Sequence, residues 1–244
     1  MKSFFLFLLL PVVLGCTFLR LTPADSSPLE AVLKKMDSAA ASFRSTQAEF
    51  EWDTYEKVIN EVDDVQTGTI YYRRTGKEKE IEMMAEVKMA GGDLKKLQPE
   101  PKYVLFSQGK VRVYQPKIDQ LIEYDLGKNH SDFESYVVLG FGGSGQELVK
   151  AFDVTYVGPE TINGVATAKL QLVPKSDKVR NTYNLIFLWI DLDKGISVQQ
   201  QFFTPQQDYR LAKYSAIQVN GKKIPEEVFK LKTTSKTQTI SPRG

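Results

Sequence analysis

Gln47-Ala48-Glu49-Phe50-Glu51-Trp52-Asp53 alternates polar and apolar side chains at every step. Period two marks a strand with one buried and one wetted face, because successive side chains leave a pleated backbone on opposite sides. Ile81, Met83, Ala85 and Val87 alternate in the same way with Glu80, Glu82, Met84, Glu86 and Lys88. Further strand-like runs cover 67–74, 102–107, 110–115, 119–125, 152–158, 164–173, 182–191, 196–203 and 208–218. Gln108-Gly109, Asn163-Gly164, Asp193-Lys194-Gly195 and Asn220-Gly221 supply turn chemistry between them. Connections this short join antiparallel neighbours. About eleven strands in one sheet must curl, since a flat sheet of that width is unstable.

One helix is well signalled ahead of these strands. Ser27 and Glu30 stand at capping-box spacing with Pro28 at the first helical position. Leu29, Val32, Leu33, Met36, Ala40 and Phe43 then recur at steps of three and four, giving one apolar stripe. Residues 131–150 interrupt the strands: Ser131-Asp132 can cap a short helix through Leu139, and a glycine-rich bend leads to a second from Gln146 to Lys150. Helices with one apolar stripe and a sheet with one apolar side have an obvious packing solution, in which the helices cover the concave face. A curled sheet covered by so few short helices can hold a cavity.

The first residues read as an export leader. Lys2 is followed by an apolar run from Phe4 to Leu14 that is short for a membrane span. Two cuts compete. Cys16, the sole cysteine, sits where a lipoprotein leader places its acylated residue, which makes the leader 1–15; Thr22-Pro23-Ala24 offers an ordinary cut, which makes it 1–24. Residues 25–234 then form one domain and 235–244 a C-terminal tail. The mature chain has no disulfide framework. With 32 basic and 30 acidic residues, the net charge of +2 gives no field to recruit nucleic acid.

Chemical signatures are sparse. Gly140-Phe141-Gly142-Gly143-Ser144-Gly145 matches G-x-G-x-x-G, but that fingerprint belongs to βαβ units and the surrounding chain is hairpins. A lid hinge at Gly140, Gly142, Gly143 and Gly145 fits better. His130 is the sole histidine, so a His/Cys zinc cluster and a serine triad are poorly supplied, and no cofactor is expected. Asp191, Asp193 and Gly195 lack calcium-loop spacing, and Glu49 and Glu51 lie on a wet strand face. Arg74 shares a strand face with Ile70 and Tyr72; it is either a snorkelling edge residue or a buried donor that ties something down. The loop from Met89 to Leu97 places two leucines among lysines, as an ordinary hairpin loop or an apolar tip that touches a membrane or partner.

The order of elements from Leu29 to Lys232 resembles the periplasmic outer-membrane lipoprotein carriers and their receptor, the LolA/LolB-like superfamily. The resemblance rests on residues 41–50, on Gly68-Thr69-Ile70-Tyr71-Tyr72-Arg73-Arg74, on residues 107–116, on the helical insertion with Leu139, and on Phe202, Tyr209, Asn220-Gly221 and Pro225 to Phe229. It implies a mainly β fold with an α lid: an unclosed antiparallel β-barrel covered by the N-terminal helix and the short insertion. It implies a periplasmic, monomeric carrier or sorting protein without enzymatic activity, or a receptor held in the outer membrane through Cys16. Its partners would be lipoprotein acyl chains, an inner-membrane lipoprotein-releasing transporter, and an outer-membrane receptor or the membrane. Leu33, Met36, Phe43, Phe50, Trp52, Ile70, Tyr72, Ile81, Met83 and Leu139 become the cavity and lid candidates, and Arg74 the lid latch. The family's proline after the latch is Thr75 here. A carrier of another amphiphile such as a glycolipid, an exported hydrolase and a purely structural envelope lipoprotein are the competing readings.

Overall fold

The computed structural model describes residues 27–76, 80–127 and 139–242. The leader with Cys16, His130 and the helix expected from Ser131 lie outside the described residues. Helix α1, Pro28–Ser42, opens with Ser27 and Glu30 in a reciprocal capping box. The strands are β1 Ser45–Glu56, β2 Glu61–Arg74, β3 Ile81–Gly91, β4 Gln98–Ser107, β5 Lys110–Gln115 and β6 Gln120–Asp125. After α2, Gly145–Ala151, come β7 Phe152–Ile162, β8 Val165–Pro174, the single-turn α3 Asp177–Arg180, β9 Leu185–Asp191, β10 Ser197–Phe203 and β11 Tyr209–Val219.

All belong to one sheet, ordered β6-β5-β4-β3-β2-β1-β11-β10-β9-β8-β7, with antiparallel neighbours throughout this run. The sheet does not close. A twelfth strand, β12 Gln238–Ile240, pairs in parallel with β6 at the far edge. Within the segment read as a tail, residues 238–240 thus add to the sheet edge. Thr234 and Thr237 hydroxyls donate to the Asp119 carboxylate at 2.7 and 2.6 Å, and the Gln238 amide donates to the Asp119 carbonyl at 2.9 Å.

The concave face carries two apolar clusters. On β7 to β10, Leu170, Leu172, Ile186, Leu188 and Ile190 pack against Val32 and Met36 of α1 and Leu148 of α2. Each such side chain taken from water contributes about 1.5–3 kcal/mol, so this half is a filled core that seats the helices. The second cluster, on β1 to β4 and β11, includes Phe50, Ile70, Tyr72, Met83 and Ala212 and is met by Phe43 and Phe141.

The convex face departs from simple alternation. Met84, expected on the wet side of β3, is 1% exposed, because Ile224 and Phe229 fold back over it and Leu105. Arg73 fastens this flap: its guanidinium lies 2.7 Å from Glu82, 2.6 Å from Glu226 and 4.1 Å above the Phe229 ring. Arg73→Leu is expected to destabilise the fold by about 1–2 kcal/mol in urea denaturation, since Glu82 loses its cation while half-shielded from water. An unchanged midpoint would show the flap to be held by Ile224 and Phe229 alone.

Candidate functional site

The second cluster does not fill its space. A cavity of about 290 Å³ runs along the concave face, lined by Trp52, Ile70, Tyr72, Met83, Val104 and Tyr214 among others. Its walls follow from strand alternation: Gln66, Gly68, Ile70, Tyr72 and Arg74 share one face of β2, a span of about 26 Å at the rise of an extended chain. The registers Trp52↔Gln66, Ile70↔Ala85 and Tyr72↔Met83 bring β1 and β3 alongside.

The Tyr72 end is plugged by the segment leading into α2. Phe141 is fully buried, stacked on Tyr72 at 4.7 Å and edge-on to Tyr214 at 4.8 Å. Three carbonyls of this segment are held by donors from the sheet. Arg74 Nη2 donates to the Gly142 carbonyl at 3.0 Å, the Ser197 amide donates to Gly140 at 2.9 Å, and Gln200 Nε2 donates to Leu139. Tyr214 Oη donates to Gln200 Oε1 at 3.1 Å, tying the plug to the cavity wall. Burial pushes the Tyr72 and Tyr214 phenols up, so both stay neutral and Tyr214 keeps the proton it donates. The Arg74 guanidinium sits 5.9 Å from the Phe43 ring, and its buried Nε has no acceptor among the described residues. Beyond this latch lies a second hollow of about 520 Å³, whose lining includes Arg44, Arg74 and Lys223.

The structure sorts the expected residues into three groups. Trp52, Ile70, Tyr72 and Met83 line the cavity. Phe43, Phe50 and Ile81 are buried in the same cluster as its supporting shell. Leu33, Met36 and Leu139 belong instead to the neighbouring filled core, because α1 lies over β7 to β10 and not over the cavity. Arg74 does bond a carbonyl of the covering segment, at the loop before α2 and not on a helix. The hinge is revised more fully. A Cβ at Gly140 would lie 2.4 Å from Ser197 Cβ, at Gly142 2.6 Å from the Phe43 ring, and at Gly145 2.5 Å from the Leu33 carbonyl oxygen. Gly140 and Gly142 also hold φ of 77° and 87°. These glycines permit close approach in a tightly packed plug, where the sequence suggested free swinging; Gly143 lies in the loop between them. Sequence reading missed Phe141, Gln200 and Tyr214, although Phe141 stood inside the singled-out glycine run.

The cavity's other end meets solvent beside Trp52. Arg210 stands 5.7 Å over the Trp52 ring, and Lys102 reaches in from β4. The β1–β2, β3–β4 and β5–β6 connections gather at this end, because these strands run antiparallel with short turns. They expose apolar tips: Val58 at 95% and Ile59 at 51% on the first, Leu94 at 50% on the second and Ile118 at 61% on the third. Leu94 rides on a short 3-10 turn, Leu94–Lys96, whose first turn is capped by Asp93. Among the described residues no cluster of three or more His, Cys, Asp or Glu could hold a metal, and no helix is long and apolar enough to cross a membrane.

An open antiparallel sheet with one helix-covered half and one plugged, cavity-bearing half defines the class of fold. No family model and no curated protein sequence matches the chain. Solved structures do match. An uncharacterized conserved protein from Thermus thermophilus is similar over 87% of this chain and 98% of its own, at 11% identity and a TM-score of 0.51. MucB is similar over 84% of this chain and 63% of its own, at 12% identity and a TM-score of 0.50. Both show that the fold occurs in solved structures. A LolA superfamily protein from Nitrosomonas europaea is matched over 83% of this chain and 97% of its own, at 11% identity and a TM-score of 0.40.

Proposed function

We propose that this chain is an exported, periplasmic carrier or sorting protein that holds acyl chains in the concave cavity and delivers lipoproteins to the outer membrane. The observation that carries the reading is the closure itself. Phe141 plugs an apolar channel, and Arg74, at the end of the strand that walls it, bonds the backbone that carries the plug, alongside Gln200 and the Ser197 amide. A static core has no need of a latch whose acceptor lies on a separate covering segment. Burying an acyl chain gains about 0.8 kcal/mol per CH₂ before the cost of opening, so binding needs no energy source in the protein. The cavity approaches the size of small-molecule sites even with the plug in place, and it would lengthen toward Arg74 as Phe141 withdrew. The apolar tips Val58, Leu94 and Ile118 at the open end suit contact with a membrane or an outer-membrane receptor, and an inner-membrane transporter would load the chain. The role is binding, with no reaction assigned.

Fluorescent fatty-acyl probes are expected to bind and to be displaced by lipopeptide. A folded protein that ignores every amphiphile would end this reading. Arg74→Leu removes a charge-assisted bond worth about 1.5–3 kcal/mol, so the lid equilibrium should shift toward open by roughly tenfold or more. Stopped-flow release of bound probe should be correspondingly faster, with the circular dichroism spectrum unchanged. Equal release rates in the variant and the parent would show that the Arg74–Gly142 bond does not control release.

A further inference from the structure

We propose that the amphiphile carried here has an anionic headgroup, held at the open end of the cavity by Lys102 and Arg210. The inference rests on the acyl-binding reading and adds the ligand's charge to it.

Both cations line the same cavity as Ile70, Tyr72 and Met83, at the end opposite Phe141. An amphiphile that runs its chain toward Phe141 places its head beside them. Neither side chain has a salt-bridge partner among the described residues. Asp64 and Glu100 act on Lys102 from a distance, and the Asp64 carboxylate already accepts from Gln66 Nε2. Arg210 acts on Lys102 as well. Burial above all pushes the Lys102 ammonium below the usual lysine range; repulsion from Arg210 adds to this, and the two carboxylates only partly offset it. Two like charges at the rim of an apolar channel are unfavourable unless an anion joins them. Arg210 stands over the Trp52 ring with no acceptor for its guanidinium among the described residues, and a guanidinium and an ammonium lining one cavity suit a carboxylate or phosphate. A head with no anionic group nearby would leave both cations unpaired; a lipoprotein cargo meets them through acidic residues next to its lipidated cysteine.

The shared chemistry is a carboxylate or phosphate on a single acyl chain, and three competitors with the same oleoyl chain separate the cases. Oleate, oleoyl lysophosphatidic acid and uncharged monoolein are titrated against a bound fluorescent acyl probe. At least one anionic competitor is expected to displace the probe roughly tenfold better than monoolein, and which one does so identifies the headgroup. The preference should shrink with added salt. In the Lys102→Gln, Arg210→Gln double variant it should fall to near one, while monoolein displaces the probe as well as before, which also shows the variant to be folded. Equal potency of all three in the parent protein overturns the headgroup site and leaves acyl binding standing. A preference that survives in the double variant overturns its placement at Lys102 and Arg210. Failure of the probe and all three competitors to bind overturns the acyl reading and this inference together.

Discussion

Phe141→Ala is expected to lower stability by about 3–5 kcal/mol, the usual range for removing a buried phenylalanine, and yet to leave acyl binding intact or tighter. The ring is fully buried between Tyr72 and Tyr214 and fills the closed end of the cavity. Its removal forfeits burial and both ring contacts, which urea denaturation will read as a lower midpoint at unchanged slope. A lid plug must also leave its seat when the ligand enters, so the variant binds without displacing anything. The two readouts should therefore move in opposite directions. A core residue with no lid role would instead lose affinity along with stability, because the cavity wall around Tyr72 would slacken. Parallel losses in both measurements would return Phe141 to the static core.

Gly68→Ala should be the most damaging single-methyl change in the cavity wall. Gly68 lies in mid-β2, where the β2–β3 register shifts between Thr67 and Gly68. A Cβ there would stand 1.9 Å from the Glu86 carbonyl oxygen and 3.0 Å from the Phe50 ring. The nearest obstacle is backbone in a paired strand, which cannot swing away as a side-chain end would. Overpacking of this kind costs about 3 kcal/mol or more, and the protein should melt well below the parent. Gly164→Ala provides the contrast. Gly164 sits in the β7–β8 turn at φ 81° with nothing near a new Cβ, so only the left-handed conformation is penalised, at about 1–2 kcal/mol. Equal melting shifts for the two would show that β2 relaxes around the methyl group.

What the sequence determined by itself is what local chemistry dictates. Alternation placed Phe50 and Trp52, and Ile81 and Met83, on the inner face, because a pleated backbone has no other way to arrange them. The Ser27–Glu30 box and the stripe from Val32 to Met36 located α1, since capping and helical period are properties of neighbouring residues. The face of Arg74 followed from its distance to Ile70 and Tyr72. Matters that depend on which distant segments meet were decided only by the tertiary structure. Met84 alternates as a wetted residue and is buried because residues 224–231 return to β3. The glycines of 140–145 have the composition of a hinge, and they pack closely because Ser197, Phe43 and Leu33 arrive beside them from three other parts of the chain. Leu33 and Met36 look like cavity residues on a helical wheel, but α1 settles over β7 to β10. Phe141 becomes a plug, and Lys102 and Arg210 come to line one cavity although their strands stand four places apart in the sheet, through a curl that no local window contains. A side chain's period is encoded within a few residues, whereas its partner is chosen by the whole sheet as buried area and hydrogen bonding are satisfied together.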